Sequence, residues 1–213
     1  MKQQSNGETT KMQPVRTSST LIGTTKWLAL KTIDYSDQEG KARKWDIATR
    51  TTKQPNVPDA VVIIPILRSQ KSTSIDTILV EQYRPPIESI ALEFPAGLID
   101  EGETAQQAAL RELWEETGYV GIVDDTFSDA QLSMSPGLTD ETIQIIIVNV
   151  DLDDPRNVKP KQHQDEGEFI DVKRVPLTVG LKDMLNTSTS MPISLLYSFA
   201  IGLEMGAKLS NTS

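Results

Sequence analysis

The chain has 213 residues, enough for one sizeable domain with trimmings, and its 38% hydrophobic and 24% charged residues are those of a globular protein rather than a disordered or fibrous one. With no cysteine and a single histidine, His163, disulfides, thiolate metal sites, cysteine nucleophiles and multi-histidine metal sites are excluded, so any metal must bind through oxygen. A balance of 21 basic against 30 acidic residues argues against nucleic acid and anionic membrane as partners, and the longest apolar run, Ala60 to Leu67, is far short of the ~20 residues of a membrane helix.

Residues 1–19 are polar, carry few large apolar side chains and read as a mobile tail. Residues 20–56 read as an N-terminal β-hairpin region: Trp27 to Ile33 and Lys44 to Thr49 flank the turn-like Asp37-Gln38-Glu39-Gly40. The main domain is expected over residues 57–213. It opens with a strand at Val61 to Leu67, buried on both faces, and another at Ile78 to Val80, joined by a polar loop from Arg68 to Asp76. Thr104 to Thr117 carries the strongest helix pattern, with Thr104 and Gln107 as a capping box, an inward stripe of Ala108, Ala109, Leu110, Leu113 and Thr117, and Gly118 as the C-terminal cap. Val120 to Val123, Ile143 to Val150 and Phe169 to Val172 are strand-like, and the stretches after Pro176 and Pro192 are helical. Strands interleaved with a few helices, without strict βαβ order, predict an α/β protein with a mixed sheet between helices.

The chemistry concentrates on the predicted helix. Glu112 and Glu116 lie one turn apart on one face and Glu115 adjoins both, so three carboxylates converge and would repel one another without a cation. Such hard oxygen ligands suit Mg²⁺ or Mn²⁺, which commonly bridge a carboxylate to substrate phosphates. Arg111, four residues before Glu115 and eight after Glu103, can clamp one carboxylate and orient the others. Most glutamate-rich helices are simply solvated faces; here the surrounding pattern of fixed residue types speaks against that reading.

Gly97, five residues, Glu103, seven residues, then Arg111-Glu112-Leu113-Trp114-Glu115-Glu116-Thr117-Gly118-Tyr119 resembles the signature of the Nudix hydrolases, departing from it only in Tyr119 where an aliphatic residue is usual. The resemblance implies an α/β/α sandwich and metal-dependent hydrolysis of a nucleoside diphosphate linked to another group, with Glu112 and Glu116 as main metal ligands, Glu115 in support, and the carbonyl of Ala96 as a further ligand. It extends to Glu81-Gln82-Tyr83-Arg84-Pro85-Pro86, to Leu92-Glu93-Phe94-Pro95-Ala96-Gly97-Leu98-Ile99-Asp100 and to Ser135-Pro136-Gly137-Leu138-Thr139-Asp140-Glu141, which together are similar to the ADP-ribose and ADP-sugar pyrophosphatase branch. Pro136 is a marker of that branch.

That branch implies a homodimer in which Trp27 and Trp45 stack on adenine across the interface, with Arg50 and Arg84 contacting phosphates and the terminal ribose region. Aromatic faces suit a purine and planar guanidinium forks suit anionic oxygens. By pattern alone both tryptophans could be hairpin core residues and both arginines surface ion pairs. For the base that activates water, Glu168 in Asp165-Glu166-Gly167-Glu168-Phe169 matches the family's loop glutamate, with Glu166 and Glu141 as rivals. His163 reads as a loop residue without a catalytic part, and Trp114 as a packing or solvent-facing residue. The expected reaction is Mg²⁺-dependent hydrolysis of ADP-ribose to AMP and ribose 5-phosphate by a cytoplasmic enzyme, with a nuclear or mitochondrial pool open. An oxidised nucleoside diphosphate as substrate and a silent nucleotide-binding member of the fold are the alternatives.

Overall fold

A computed structural model describes residues 12–126, 130–177 and 180–210. The chain divides into two compact units, residues 1–59 with 133–142, and residues 60–132 with 143–213.

The first unit is built on an antiparallel sheet of three strands, β1 (Val15–Thr24), β2 (Leu28–Ser36) and β3 (Ala42–Arg50), in that order. The β2–β3 hairpin pairs Leu28 with Arg50 and Ile33 with Trp45, and turns through Asp37, whose carboxylate accepts from the backbone N–H of Glu39 and Lys41. Strand β1 corrects the expectation of a tail reaching residue 19; of that stretch, residues 1–11 lie outside the described residues. All ten residues of β1 are exposed. Its order therefore comes from ladder hydrogen bonds to β2 and from Thr17 and Ser18 bonding to Asp34, not from apolar burial that hydropathy could report. A second feature invisible in the sequence is that residues 133–142 join this unit: Ala48 N–H donates to Leu138 O at 2.9 Å and Thr49 Oγ1 to Asp140 Oδ2 at 3.1 Å.

The second unit carries β4 (Ala60–Ser69), β5 (Ser72–Arg84), β6 (Ser89–Glu93), β7 (Ala96–Leu98), helix α1 (Ala105–Thr117), β8 (Ile122–Val123), β9 (Gln131–Ser133), β10 (Thr142–Asp151), β11 (Ile170–Pro176), α2 (Leu181–Thr187), β12 (Met191–Pro192) and α3 (Ser194–Ser210). The sheet runs β12-β6-β5-β4-β10-β8, with β11 on β5 and β7 on β4. It is mixed: β10 pairs parallel to β4 and β12 parallel to β6, while β8 on β10, β11 on β5, β5 on β4 and β6, and β7 on β4 are antiparallel. Strand β4 is buried from Val61 to Pro65, as its continuous apolar run predicts. Val62 and Ile64 enter a core with Leu79, Leu92, Phe94 and the α2 and α3 residues Leu181, Leu185, Leu196 and Ala200. By strand alternation Val61 and Ile63 turn to the opposite face, where α1 contacts β4 and β7. Helices cover both faces, giving the expected sandwich.

The predicted loop from Arg68 to Asp76 is instead a tight hairpin, because β4 and β5 extend to Ser69 and Ser72 across a polar, exposed end. Strand β11 runs on to Pro176 because its alternation continues against β5. No helix among the described residues is long and apolar enough to cross a membrane.

Candidate active site

Helix α1 forms where the sequence places it. Thr104 Oγ1 accepts from Gln107 N–H, Gln107 Oε1 accepts from Thr104 N–H, and Gly118, at φ 76°, ends the helix by donating to Trp114 O. Ala105, Ala108, Ala109, Leu113 and Thr117 are buried, while Leu110, expected on that stripe, is 37% exposed. Glu116 shares the buried face, at 6% exposure.

The helix lies against the backbone of β7, and that contact shapes the site. Ala96 N–H donates to Glu116 Oε2 at 3.1 Å. A methyl group at Gly97 would stand 1.9 Å from the Glu112 carboxyl carbon, so the missing side chain is what lets Glu112 lie over the strand. Arg111 spends its guanidinium on five oxygens of four residues: both of Glu103 at 3.0 and 2.9 Å, Glu112 at 2.8 Å, Glu115 at 3.0 Å and the Leu98 carbonyl at 2.9 Å. It therefore ties the helix to the preceding loop and to β7, a broader clamp than one carboxylate. Glu103 is held below the usual carboxylate range by the Arg111 guanidinium.

Glu112 and Glu116 go the other way. Burial pushes the Glu116 carboxyl up to about 8, and the charges of Glu112 and Glu168 add to the rise against the Ala96 N–H and Arg84. Burial, with Glu115 and Glu168, also raises Glu112, although Arg111 opposes it. Two desolvated carboxyls with excess negative charge form a donor set that a divalent cation would satisfy. Among the described residues no three acidic or histidine side chains form a ready-made cage. The hard-oxygen pair Glu112 and Glu116, set beside the β7 backbone at Gly97 and Ala96, fits a cation that keeps waters and awaits phosphate oxygens.

Arg84 closes β5, where Pro85 and Pro86 start a one-turn 3₁₀ helix. Glu93 takes its Nε and Nη2 at 2.7 and 3.1 Å and raises the guanidinium's pKa, leaving Nη1 without a hydrogen-bond partner among the described residues. Glu93, buried in the β6 run, has no assigned part in the sequence reading; an acid inside Leu92 to Phe94 was the available signal. Glu168 is exposed, follows the positive-φ Gly167, and its N–H donates to Asp165 O at 3.1 Å. Its charge acts on Glu112, Glu116 and Arg84, so the structure brings these four together electrostatically. The loop before it is fastened to α1: His163 N–H donates to Glu115 O, Gln162 to Glu116 O, and the His163 ring stacks on Trp114. The sequence offered no pattern for that fastening.

In the first unit, Trp27 is 57% and Trp45 48% exposed, so neither is a core residue. Lys26 Nζ sits 4.2 Å from the centre of the Trp27 ring, and Trp45 Nε1 donates to Gly137 O at 3.2 Å. Arg50 is paired to Glu141, Nε to Oε1 at 2.6 Å. Glu141 thus has a cationic partner of its own, whereas Glu166 is exposed in the loop of Glu168.

The sequence profile of the NUDIX domain matches residues 57–190. Among curated proteins, the ADP-sugar pyrophosphatase of Mus musculus is 42% identical over 75% of this chain and 72% of its own length. The ADP-ribose pyrophosphatase of Saccharomyces cerevisiae is 40% identical over 71% of this chain and 65% of its own. A crystal structure of an ADP compounds hydrolase superposes with a TM-score of 0.66 at 20% identity, over 94% of this chain and 97% of that one, a likeness of fold.

Proposed function

The chain belongs to the NUDIX family, and from that membership and the geometry of its site we propose that it hydrolyses the diphosphate of ADP-ribose and related ADP-sugars to AMP and a sugar phosphate. The observation that carries this reading is the pair of half-buried Glu112 and buried Glu116, laid against the β7 backbone and sharing a field with Arg84 and Glu168.

Glu112 and Glu116, with Glu115 and the Ala96 carbonyl in support, would hold Mg²⁺, for which Mn²⁺ can substitute; the bound cation supplies charge neutralisation at the phosphoryl oxygens. Arg111 holds the helix and the β7 loop in register. Arg84, fixed along one edge by Glu93, offers Nη1 to a diphosphate oxygen. Glu168 accepts the proton of the attacking water, whose oxygen bonds to one phosphorus as the bridging P–O bond breaks. A positioned carboxylate of this kind contributes typically ~10²–10⁴-fold to rate.

Trp27 and Trp45 take the adenine, and they do so from two copies of the chain. Thr51 N–H bonds to Trp27 O, so Trp27 stands opposite residue 51 on the hairpin. Trp45 is six residues from that point, about 20 Å along a strand, too far for both rings of one copy to clasp a single base. Leu21, Ile22, Leu28 and Leu30 are also exposed on this sheet, which suits a homodimer interface. Arg50 reaches the substrate's phosphates or terminal ribose when its Glu141 pair opens. We assign this work to the cytoplasm, with a nuclear or mitochondrial pool as the alternative.

The test is incubation with ADP-ribose, ADP-glucose and an oxidised guanosine diphosphate, with Mg²⁺ or with EDTA, and chromatography of the products. Metal-dependent AMP from ADP-ribose is expected. Preference for the oxidised nucleotide, or no turnover at all, would reject the proposal.

A further inference from the structure

Helix α1 ends with backbone carbonyls that have no partner within the helix. Gly118 satisfies Trp114 O, but the next two are satisfied from a distant loop: His163 N–H donates to Glu115 O at 2.7 Å and Gln162 Nε2 to Glu116 O at 2.7 Å. These are the carbonyls of two of the three clustered glutamates. Gln162 Nε2 also donates to Ile170 O at 2.8 Å, and Gln164 Nε2 joins it there at 2.8 Å. Gln162 therefore draws together both ends of the segment 163–169 and pins the closure to the end of α1. Ile170 itself starts β11 and pairs with Gln82 of β5, so the far end is fixed to the sheet.

Two further contacts register the near end. The His163 ring lies on Trp114 with centroids 3.8 Å apart and planes 16° from parallel. Gly118 lets the loop come this close, since a Cβ there would stand 2.3 Å from the Lys161 backbone nitrogen. The stack is not core packing: Trp114 is 41% exposed and His163 is exposed. What the segment carries between its fixed ends is Glu168.

We propose that Gln162, His163 and Trp114 are positioning residues that hold Glu168 over the carboxylates of α1, so that the helix bearing Glu112 and Glu116 also sets the place of the base. The inference rests on the reading of Glu168 as base. His163→Ala removes the ring and keeps the backbone bond to Glu115; His163→Phe restores an aromatic face.

With ADP-ribose and saturating Mg²⁺, His163→Ala is expected to lower kcat on the order of tenfold, a fraction of the roughly hundredfold that a displacement of about 1 Å can cost, with KM nearly unchanged. His163→Phe should recover most of the loss, and in a Glu168→Gln background His163→Ala should cost almost nothing further. Hydrogen exchange should quicken at the Glu168 amide in His163→Ala and return in His163→Phe. An unchanged kcat in His163→Ala, or a full additional loss on top of Glu168→Gln, would overturn the positioning role while leaving Glu168 as base. A Glu168→Gln enzyme with normal kcat would overturn the base assignment and this inference with it.

Discussion

Gly97→Ala isolates the contact on which the metal side of the site depends. Gly97 is not among the glycines with positive φ, so alanine meets no backbone penalty there and the perturbation is purely steric. Its methyl would fall 1.9 Å from Glu112 Cδ and Oε1 and 2.4 Å from Oε2, whereas ordinary contact begins near 3.4 Å; the carboxyl must retreat by about 1.5 Å. Because the displaced atoms are the end of a flexible side chain, a changed rotamer costs the fold about 0.5–1.5 kcal/mol. The same shift at a reacting centre costs turnover roughly 10²-fold or more. The expected signature is a sharp split: Mg²⁺ affinity by calorimetry and AMP production fall steeply, while urea unfolding shows a protein nearly as stable as the parent. Turnover and Mg²⁺ affinity equal to the parent's would refute the claim that Glu112 works from its seat on β7. A grossly destabilised protein would show that the backbone rather than the side chain gives way.

Glu116 makes metal binding pH-dependent. Its carboxyl, raised to about 8 by burial, holds a proton in the apoprotein that the unfolded chain, at the ordinary value of 4.5, has already released. In EDTA this group's contribution to stability is full below about pH 4.5 and is lost as pH rises through about 8, and a bound cation should remove that loss. Thermal unfolding at pH 6 and pH 9, with and without Mg²⁺, reads this directly, and calorimetry in buffers of different ionisation enthalpy should find about one proton released per cation below pH 8; a pH-independent affinity would remove Glu116 from the ligand set. Gly118→Ala should destabilise by more than about 1 kcal/mol, since the position needs φ 76° and the Lys161 backbone fills the space of a Cβ; chemical denaturation decides it. Trp27→Ala and Trp45→Ala should each raise KM for ADP-ribose several-fold, about 1 kcal/mol of lost stacking, and mixing the two variants should restore one intact adenine site per mixed dimer. No recovery of activity on mixing would contradict adenine binding between two copies.

The helix of the site was legible in the sequence because everything that makes it is local. A capping box at Thr104, a small apolar stripe, Gly118 at the end and glutamates one turn apart are set within fifteen residues, and the structure reproduces them apart from the place of Leu110 on the stripe. The both-faces burial of β4 was legible for the same reason, as a continuous apolar run. Strand β1 was not, since it buries no side chain and owes its order to a partner strand.

What the tertiary structure alone decided are the contacts that join distant segments: Glu112 against Gly97, Arg84 against Glu93, residues 133–142 against the N-terminal sheet, and Gln162 and His163 against the end of α1. Sequence fixes which groups are present and, within a helix or a strand, which face they share, because periodicity is a property of the local backbone. Whether a glutamate ends up buried with its pKa near 8 or solvated depends on what the rest of the chain packs over it, and no local pattern carries that information.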